Sequence, residues 1–345
     1  MSADSSLRVA VPFHRMATLR PAWAGRLRPL LTLAAAFVAY VVLISVVLVL
    51  TILVLALVPG VNVALEVTSG DPTSALDVTL ALAMGVMWLP AGIIGVRFGG
   101  WRPLGTAWSV AARPRRELLR AYGPWVGAMG VLVVILAAAA GAIVGADGSG
   151  QDTTASGLQL LAVTVVVLVL APLQAVGLEL ALRGTVMQAL GSWLRSPLLP
   201  LLAASAVMLI GRELTAAVVL PALALGLAAG ILAWKSGGLE LSIMLTATIT
   251  VASHLVSAFG AGSGIGAGAA ALNAAAAAPG TSAAALAATA SGSGSAALAG
   301  GIAAAIALLL VTAMLMARIS AREGVRLREP VVRPADEPVP DVVPY

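Results

Sequence analysis

Long aliphatic segments separated by short polar ones recur along almost the whole chain. A helix needs about 20 residues to cross the hydrocarbon core of a bilayer, and most of these segments have that length. The pattern predicts about eight transmembrane helices, over Leu30–Val58, Asp77–Val96, Pro124–Gly145, Leu158–Ala181, Pro197–Ile210, Ala216–Trp234, Leu239–Ala258 and Ala297–Ala317. The first is too long for the core of a signal peptide, the fourth is long enough to pass beyond the membrane, and the fifth is short for a span.

The composition restricts the class of protein. Of the 345 residues, 60% are apolar and 10% are charged, and the mean hydropathy is +1.02, as is typical of an all-α polytopic membrane protein. The chain has no cysteine and no HExxH motif, so thiol chemistry and a histidine-rich zinc site are excluded, and we expect neither a metal nor a cofactor. The basic residues are nearly all arginine, which together with the many alanines is typical of a high-GC bacterial genome. In a membrane protein such basicity does not indicate nucleic acid binding, and the partner it predicts is the lipid bilayer.

The basic residues fall on one side of the membrane if eight spans alternate. Every arginine and lysine except Arg212 lies before the first span or after an even-numbered one. The opposite loops carry acidic residues, namely Glu66, Asp71, Asp147 and Asp152. Because basic loops of membrane proteins face the cytoplasm, the distribution predicts a multi-pass protein of the cell membrane with both termini cytoplasmic.

Composition shifts divide the chain into parts. We predict a cytoplasmic N-terminal segment (1–29), N-terminal transmembrane helices (30–157) with a basic cytoplasmic loop (97–123), a membrane core (158–258), a flexible external loop rich in Gly, Ala and Ser (259–300), a last transmembrane helix (301–317) and a disordered cytoplasmic tail (318–345). Within the basic loop, Arg113–Tyr122 is either an ordinary positive-inside loop or a helix on the anionic inner leaflet. The pairs Gly141/Gly145 and Gly226/Gly230 predict close helix packing.

An ionisable pair lies in the fourth hydrophobic segment. The stretch Ala171–Gln188 reads APLQAVGLELALRGTVMQ and carries Glu179 and Arg183, which stand one helical turn apart and are predicted to pair. A charge at the bilayer centre costs about 2.5–3.5 kcal/mol on insertion scales, so the pair is a candidate functional site. The alternative is a structural salt bridge, or a pair at the cytoplasmic interface.

Three stretches of the membrane core resemble the motifs of one enzyme family. QAVGLELALRG resembles the first motif of the CPBP family, the CAAX-protease and bacteriocin-processing (Abi) intramembrane endopeptidases, in which Glu-Glu-x-x-x-Arg is followed by Gly. Leu201–Leu214 occupies the place of that family's Phe-x-x-x-His motif. Ser236–Val251 is similar to the third motif, in which Gly-Leu-Glu leads to His-x-x-x-Asn. The resemblance covers about Leu158–Ala258 and implies a CPBP-like helical bundle.

The resemblance also implies that this chain lacks most of the family's catalytic groups. In the family the first glutamate and the histidine of motif two activate a water, while the histidine and asparagine of motif three stabilise the oxyanion. Glu179 and Arg183 match the second glutamate and the arginine, whereas the four positions just named are occupied by Leu178, Gly211, Thr246 and Thr250. A relocated site of Glu213 and His254 is conceivable, although an interface ion pair between Arg212 and Glu213 is the better interpretation.

Three functions remain open from the sequence. The leading one is a non-catalytic CPBP homologue that acts as a membrane scaffold or binds membrane peptides or proteins. The second is an active intramembrane endopeptidase that cleaves membrane-associated or CAAX-type peptides. The third is a transporter or channel, which intramembrane charge also permits, although no inverted repeat or pair of broken helices is visible in the sequence.

Overall fold

The computed structural model describes residues 10–57, 70–145, 155–212, 214–277, 294–335 and 337, and in these ranges the chain is almost entirely helical. Its α-helices are α1 (Arg28–Ala56), α2 (Ala75–Val86), α3 (Trp88–Ile94), α4 (Leu104–Trp108), α5 (Arg116–Val144), α6 (Gly157–Glu179), α7 (Gln188–Trp193), α8 (Leu198–Ala206), α9 (Ala216–Ser236), α10 (Glu240–Phe259), α11 (Gly264–Ala276) and α12 (Gly294–Glu323). Two π-helical segments, Gly95–Gly99 and Leu180–Met187, extend α3 and join α6 to α7. The remaining elements are short 3-10 helices at Phe13–Thr18, Pro21–Trp23 and Val207–Leu209, and the two-residue strands β1 (Val11–Pro12) and β2 (Val332–Arg333).

Seven helical segments in the described ranges are long and apolar enough to cross a membrane, which confirms the predicted all-α polytopic membrane protein. Five of them are α1, α5, α9, α10 and α12, and the other two are the composite segments Ala75–Gly99 and Gly157–Trp193. The structure differs from the predicted spans at Pro197–Ile210. There α8 and its 3-10 extension end at Leu209 and cover only about 20 Å.

The two ends of the described chain meet. Strand β1 pairs with β2 in antiparallel register, with Val11 opposite Arg333 and Pro12 opposite Val332. Both ends therefore lie on one face of the bundle, called here the terminal face, and the chain crosses the bundle an even number of times. Since α9 ends at this face beside residues 326–329, the segment between α7 and α9, which contains α8, makes the additional crossing. That the terminal face is cytoplasmic stays a prediction.

Residues 259–300, predicted to be a flexible external loop, contain a buried helix. Helix α11 (Gly264–Ala276) inserts among α5, α9, α10 and α12. Its glycines permit this, because a Cβ added to Gly268 would come within 2.3 Å of a backbone oxygen of α5. Alanine and glycine contribute little hydropathy but allow close backbone approach, so the sequence pattern missed this packing. Residues 278–293 of the predicted loop lie outside the described residues, and Gly294–Gly300 belong to α12.

The predicted disordered tail, residues 318–345, is ordered over the part that the structure describes. Helix α12 continues to Glu323, and the chain after it folds back over the terminal face. The Lys235 ammonium, at the end of α9, donates to three backbone oxygens of this segment, at 2.7 Å to Arg326, 3.2 Å to Leu327 and 2.6 Å to Glu329. The order therefore depends on a side chain distant in sequence, which the local composition of the tail does not reveal.

The small-residue pairs behave as predicted. A Cβ on Gly141 would lie 2.3 Å from the Gly264 carbonyl oxygen, and one on Gly226 would lie 2.9 Å from the Ser205 Cβ. These glycines bring α5 against α11 and α8 against α9. The resulting core of buried aliphatic side chains is shared by α5, α9, α10, α11 and α12.

Candidate functional site

Glu179 and Arg183 form a buried ion pair at the end of α6. Glu179 is the last residue of the helix, and Arg183 lies in the π-helical segment Leu180–Met187 that continues it. Arg183 Nη1 lies 3.1 Å from Glu179 Oε1, and both side chains are 1% exposed. The predicted pair is present and lies in the protein interior.

Two further helices are tied to this ion pair. The Thr246 hydroxyl on α10 donates to Glu179 Oε1 at 2.9 Å. Arg183 Nη2 donates to the Gly226 carbonyl oxygen on α9 at 2.7 Å. Because buried charges are costly unless they are paired and hydrogen-bonded, these contacts stabilise the junction of α6, α9 and α10.

One polar atom on each partner of the pair makes no hydrogen bond to a described residue. Glu179 Oε2 and Arg183 Nε are buried without a hydrogen-bond partner in the part of the chain that the structure describes. The carboxylate therefore retains the capacity to accept a hydrogen bond. Its immediate polar neighbours are a guanidinium and a hydroxyl, and neither group is itself a general base near neutral pH.

The position that the CPBP resemblance aligns with the catalytic base is apolar and closed. Leu178 is 1% exposed and packs with Leu182 and Met208. Met208 belongs to the 3-10 extension of α8, so the segments that resemble motifs one and two do meet. Their contact is made by aliphatic and thioether groups, which activate no water.

Gly211 lies apart from this contact. It is exposed, in the turn between α8 and α9, and its φ is +76°. A left-handed conformation is open to glycine and strained for histidine. The predicted motif-two position is thus outside the candidate site, and the residues of that segment that pack in the Leu178 cluster are Met208 and, partly buried, Val207.

The motif-three positions form a line along α10. Thr246 contacts Glu179, whereas Thr250 Oγ1 donates to the Thr246 carbonyl oxygen at 2.7 Å. His254 Nδ1 in turn hydrogen-bonds the Thr250 carbonyl oxygen at 2.8 Å. Thr250 and His254 are therefore engaged by their own helix, and His254 stands about 12 Å along that helix from Thr246. The structure brings Thr246 to Glu179 and leaves His254 two turns away.

The relocated site of Glu213 and His254 stays a prediction, because Glu213 lies outside the residues that the structure describes. The neighbouring Arg212 is buried. Its Nη2 donates to the carbonyl oxygen of Ala277, the residue that follows α11. A cation is favourable at a helix C-terminus, so Arg212 caps α11. The interface ion pair of Arg212 with Glu213 stays a prediction, since Glu213 lies outside the described residues.

Arg102 is a site residue that the sequence reasoning missed. It is 4% exposed, and its Nη2 donates to the Gly184 carbonyl oxygen at 2.9 Å, inside the π-helical segment that carries Arg183. It also donates to the side chains of Thr106 and Gln188. Burial lowers the pKa of Arg102 to about 10, so the guanidinium stays charged at neutral pH. In the sequence Arg102 is one of several arginines after the second span, and nothing distinguishes it from its exposed neighbours.

Among the described residues, no group of three or more His, Asp or Glu side chains is placed to hold a metal ion. Comparison with known proteins adds no relative, because the chain matches no protein-family model, no curated protein and no solved structure. The CPBP resemblance stays an interpretation of the motif residues.

Proposed function

We propose that the chain is a non-catalytic membrane protein on a CPBP-like frame, which acts as a scaffold or as a binding protein for membrane peptides or proteins. The observation that carries the proposal is the contact of Leu178 with Leu182 and Met208. It places aliphatic side chains where the family's mechanism requires a base. Removing a general base costs about 10²–10⁴ in rate, and removing an oxyanion donor about 10²–10³.

The retained ion pair fits a structural role. Glu179 is held by Arg183 and Thr246, and adjacent positions on a helix point about 100° apart, so Glu179 is not directed where Leu178 points. Breaking one side of a buried pair costs about 3–5 kcal/mol, so selection for stability alone suffices to retain it. A frame fixed in this way presents constant surfaces to partners in the bilayer.

The test is to restore the missing groups. One variant carries Leu178→Glu, Gly211→His, Thr246→His and Thr250→Asn, and a second carries Met208→His in place of Gly211→His because Met208 faces Leu178. We expect the wild type to cleave neither a CAAX-type nor a signal-like peptide, and the Met208→His set to gain more activity than the Gly211→His set. Wild-type cleavage that disappears in Glu179→Ala, with the fold intact, would instead support the active endopeptidase.

One observation favours transport as a second candidate. Helix α11 is a short buried helix whose last carbonyl groups lie inside the bundle, where Gln174 Nε2 donates to the Ala276 oxygen at 3.1 Å and Arg212 caps Ala277. Broken helices that end within the membrane are typical of transporter binding sites. Solute or ion flux into liposomes that contain the purified protein tests this candidate, and the scaffold proposal predicts no flux above that of empty liposomes.

A further inference from the structure

Two arginines at the end of α12 lie over aromatic rings of α5. Arg318 Cζ is 4.1 Å from the ring centroid of Trp125, and Arg322 Cζ is 5.4 Å from that of Tyr122. These distances lie within the cation–π range of about 6 Å. The Tyr122 hydroxyl also donates to Glu323 Oε1 at 3.2 Å, which fixes the same pair of helices together.

The ring contacts position the two guanidinium groups without using their N–H donors. A guanidinium has five N–H donors, and the ring attracts its charge rather than a single hydrogen. Both arginines are exposed, and neither forms an ion pair within the described part of the chain. Arg116 and Arg120 on α5 add positive charge at the same end of the two helices, and Glu117 and Glu323 offset only part of it.

An exposed apolar strip continues from the arginines into the membrane span. On α12, Leu310 and Met314 precede Arg318 and Arg322 at four-residue intervals, so the four side chains lie along one face. Leu310 is 66% exposed, Met314 46% and Trp125 46%. Leu132 lies two turns after Trp125 on the same face of α5 and is also exposed. The strip extends about 12 Å from Arg318 to Leu310.

We infer that this α5–α12 seam, formed by Trp125, Leu132, Leu310, Met314, Arg318 and Arg322, binds an anionic phospholipid. The anionic phosphate of the headgroup contacts the two guanidinium groups, and an acyl chain lies along the apolar strip. Charge complementarity selects an anionic headgroup, because the choline cation of a zwitterionic lipid meets like charge. The apolar strip selects a lipid over a free phosphate, since a phosphate leaves those side chains uncovered.

The test uses the full-length protein in detergent, titrated with phosphatidylglycerol, phosphatidylcholine or inorganic phosphate, with lipid binding read by native mass spectrometry and by thermal shift. We expect phosphatidylglycerol to bind more tightly than phosphatidylcholine, and phosphate alone to give no shift. Arg318→Gln/Arg322→Gln should weaken phosphatidylglycerol binding at least about tenfold, since each interfacial cation contributes about fivefold and the two together about 25-fold. The matched control, Arg326→Gln/Arg328→Gln, removes the same charge from the segment beyond α12 and should leave binding within about twofold, because it leaves the seam intact.

A second measurement does not depend on the arginine variants. Brominated phosphatidylglycerol should quench tryptophan fluorescence more in the wild type than in Trp125→Phe, because Trp125 lines the seam. Equal quenching in the two proteins overturns the site. The site is also overturned if the two arginine double variants lose binding equally, or if phosphatidylglycerol and phosphatidylcholine bind equally. A thermal shift with phosphate alone that matches the shift with phosphatidylglycerol rejects a lipid as the ligand.

Discussion

The Thr246 hydroxyl donates to Glu179 Oε1 across 2.9 Å and joins α10 to the end of α6. In the resemblance to the CPBP family, Thr246 replaces a histidine that contributes to catalysis. Here the same position serves a carboxylate that is already paired with Arg183. The contact makes Thr246 part of a junction between helices, at the position that the resemblance aligns with a catalytic histidine.

The first prediction concerns the stability of that junction. Glu179→Gln and Arg183→Met should each lower the free energy of unfolding in detergent by about 3–5 kcal/mol, because each leaves an uncompensated buried group. The loss in Arg183→Met should be the greater, since Arg183 also donates to the Gly226 oxygen. The double variant should lose less than the sum of the single variants. Arg116→Gln, an exposed arginine on α5, is the control, and single variants as stable as that control contradict a buried structural pair.

The second prediction concerns the segment after α12. Lys235→Met removes three charge-assisted hydrogen bonds to backbone oxygens of residues 326–329. We expect trypsin to cut after Arg326 and Arg328 at least about tenfold faster in this variant, because the loss of even one such bond, about 1.5 kcal/mol, makes local opening about tenfold easier. Arg120→Gln should leave the cleavage rate unchanged. Equal rates in Lys235→Met and the wild type mean that Lys235 does not hold this segment.

The third prediction concerns topology. Pairing of β1 with β2 puts both ends on one face, and the arginine distribution predicts that this face is cytoplasmic. Reporters fused before Val11 and after Tyr345 should both give a cytoplasmic signal. A reporter inserted between Asp147 and Asp152 should give an external one. Opposite signals from the two termini are incompatible with the observed pairing.

The fourth prediction concerns pH. His14 is buried, its Nε2 hydrogen-bonds the Arg195 carbonyl oxygen at 3.2 Å, and burial together with the adjacent Arg15 lowers its pKa below 6.5. The unfolded chain therefore takes up a proton at a pH where the folded protein does not. Stability is fully present above about pH 6.5 and falls as the pH drops through the interval down to the folded pKa. His14→Gln, measured by thermal unfolding between pH 7.5 and pH 5, should flatten this dependence, and an unchanged slope contradicts the assignment to His14.

The hydrophobic pattern predicted the long helices because each of them is a continuous apolar segment long enough to cross a bilayer. It also placed Glu179 and Arg183 together, since their spacing alone aligns them on a helix. It missed α11, whose packing depends on glycine contacts with α5. It also missed Arg102, because two of its acceptors, Gly184 and Gln188, lie more than 80 residues away along the chain. The motif comparison placed Gly211 in the site, but the turn between α8 and α9 exposes Gly211 and directs Met208 inward. Such features depend on contacts between distant segments, which local pattern does not encode.

We propose that no side chain of this protein serves as the base or nucleophile of a peptidase. The most direct measurement is the turnover of a CAAX-type peptide and of a signal-like peptide by the purified wild type, beside Glu179→Ala, Glu213→Ala and His254→Ala. We predict that any cleavage stays at the background rate and is the same in all four proteins. Cleavage that one of these substitutions abolishes, in protein that remains folded by thermal unfolding, contradicts the account and identifies a working catalytic residue.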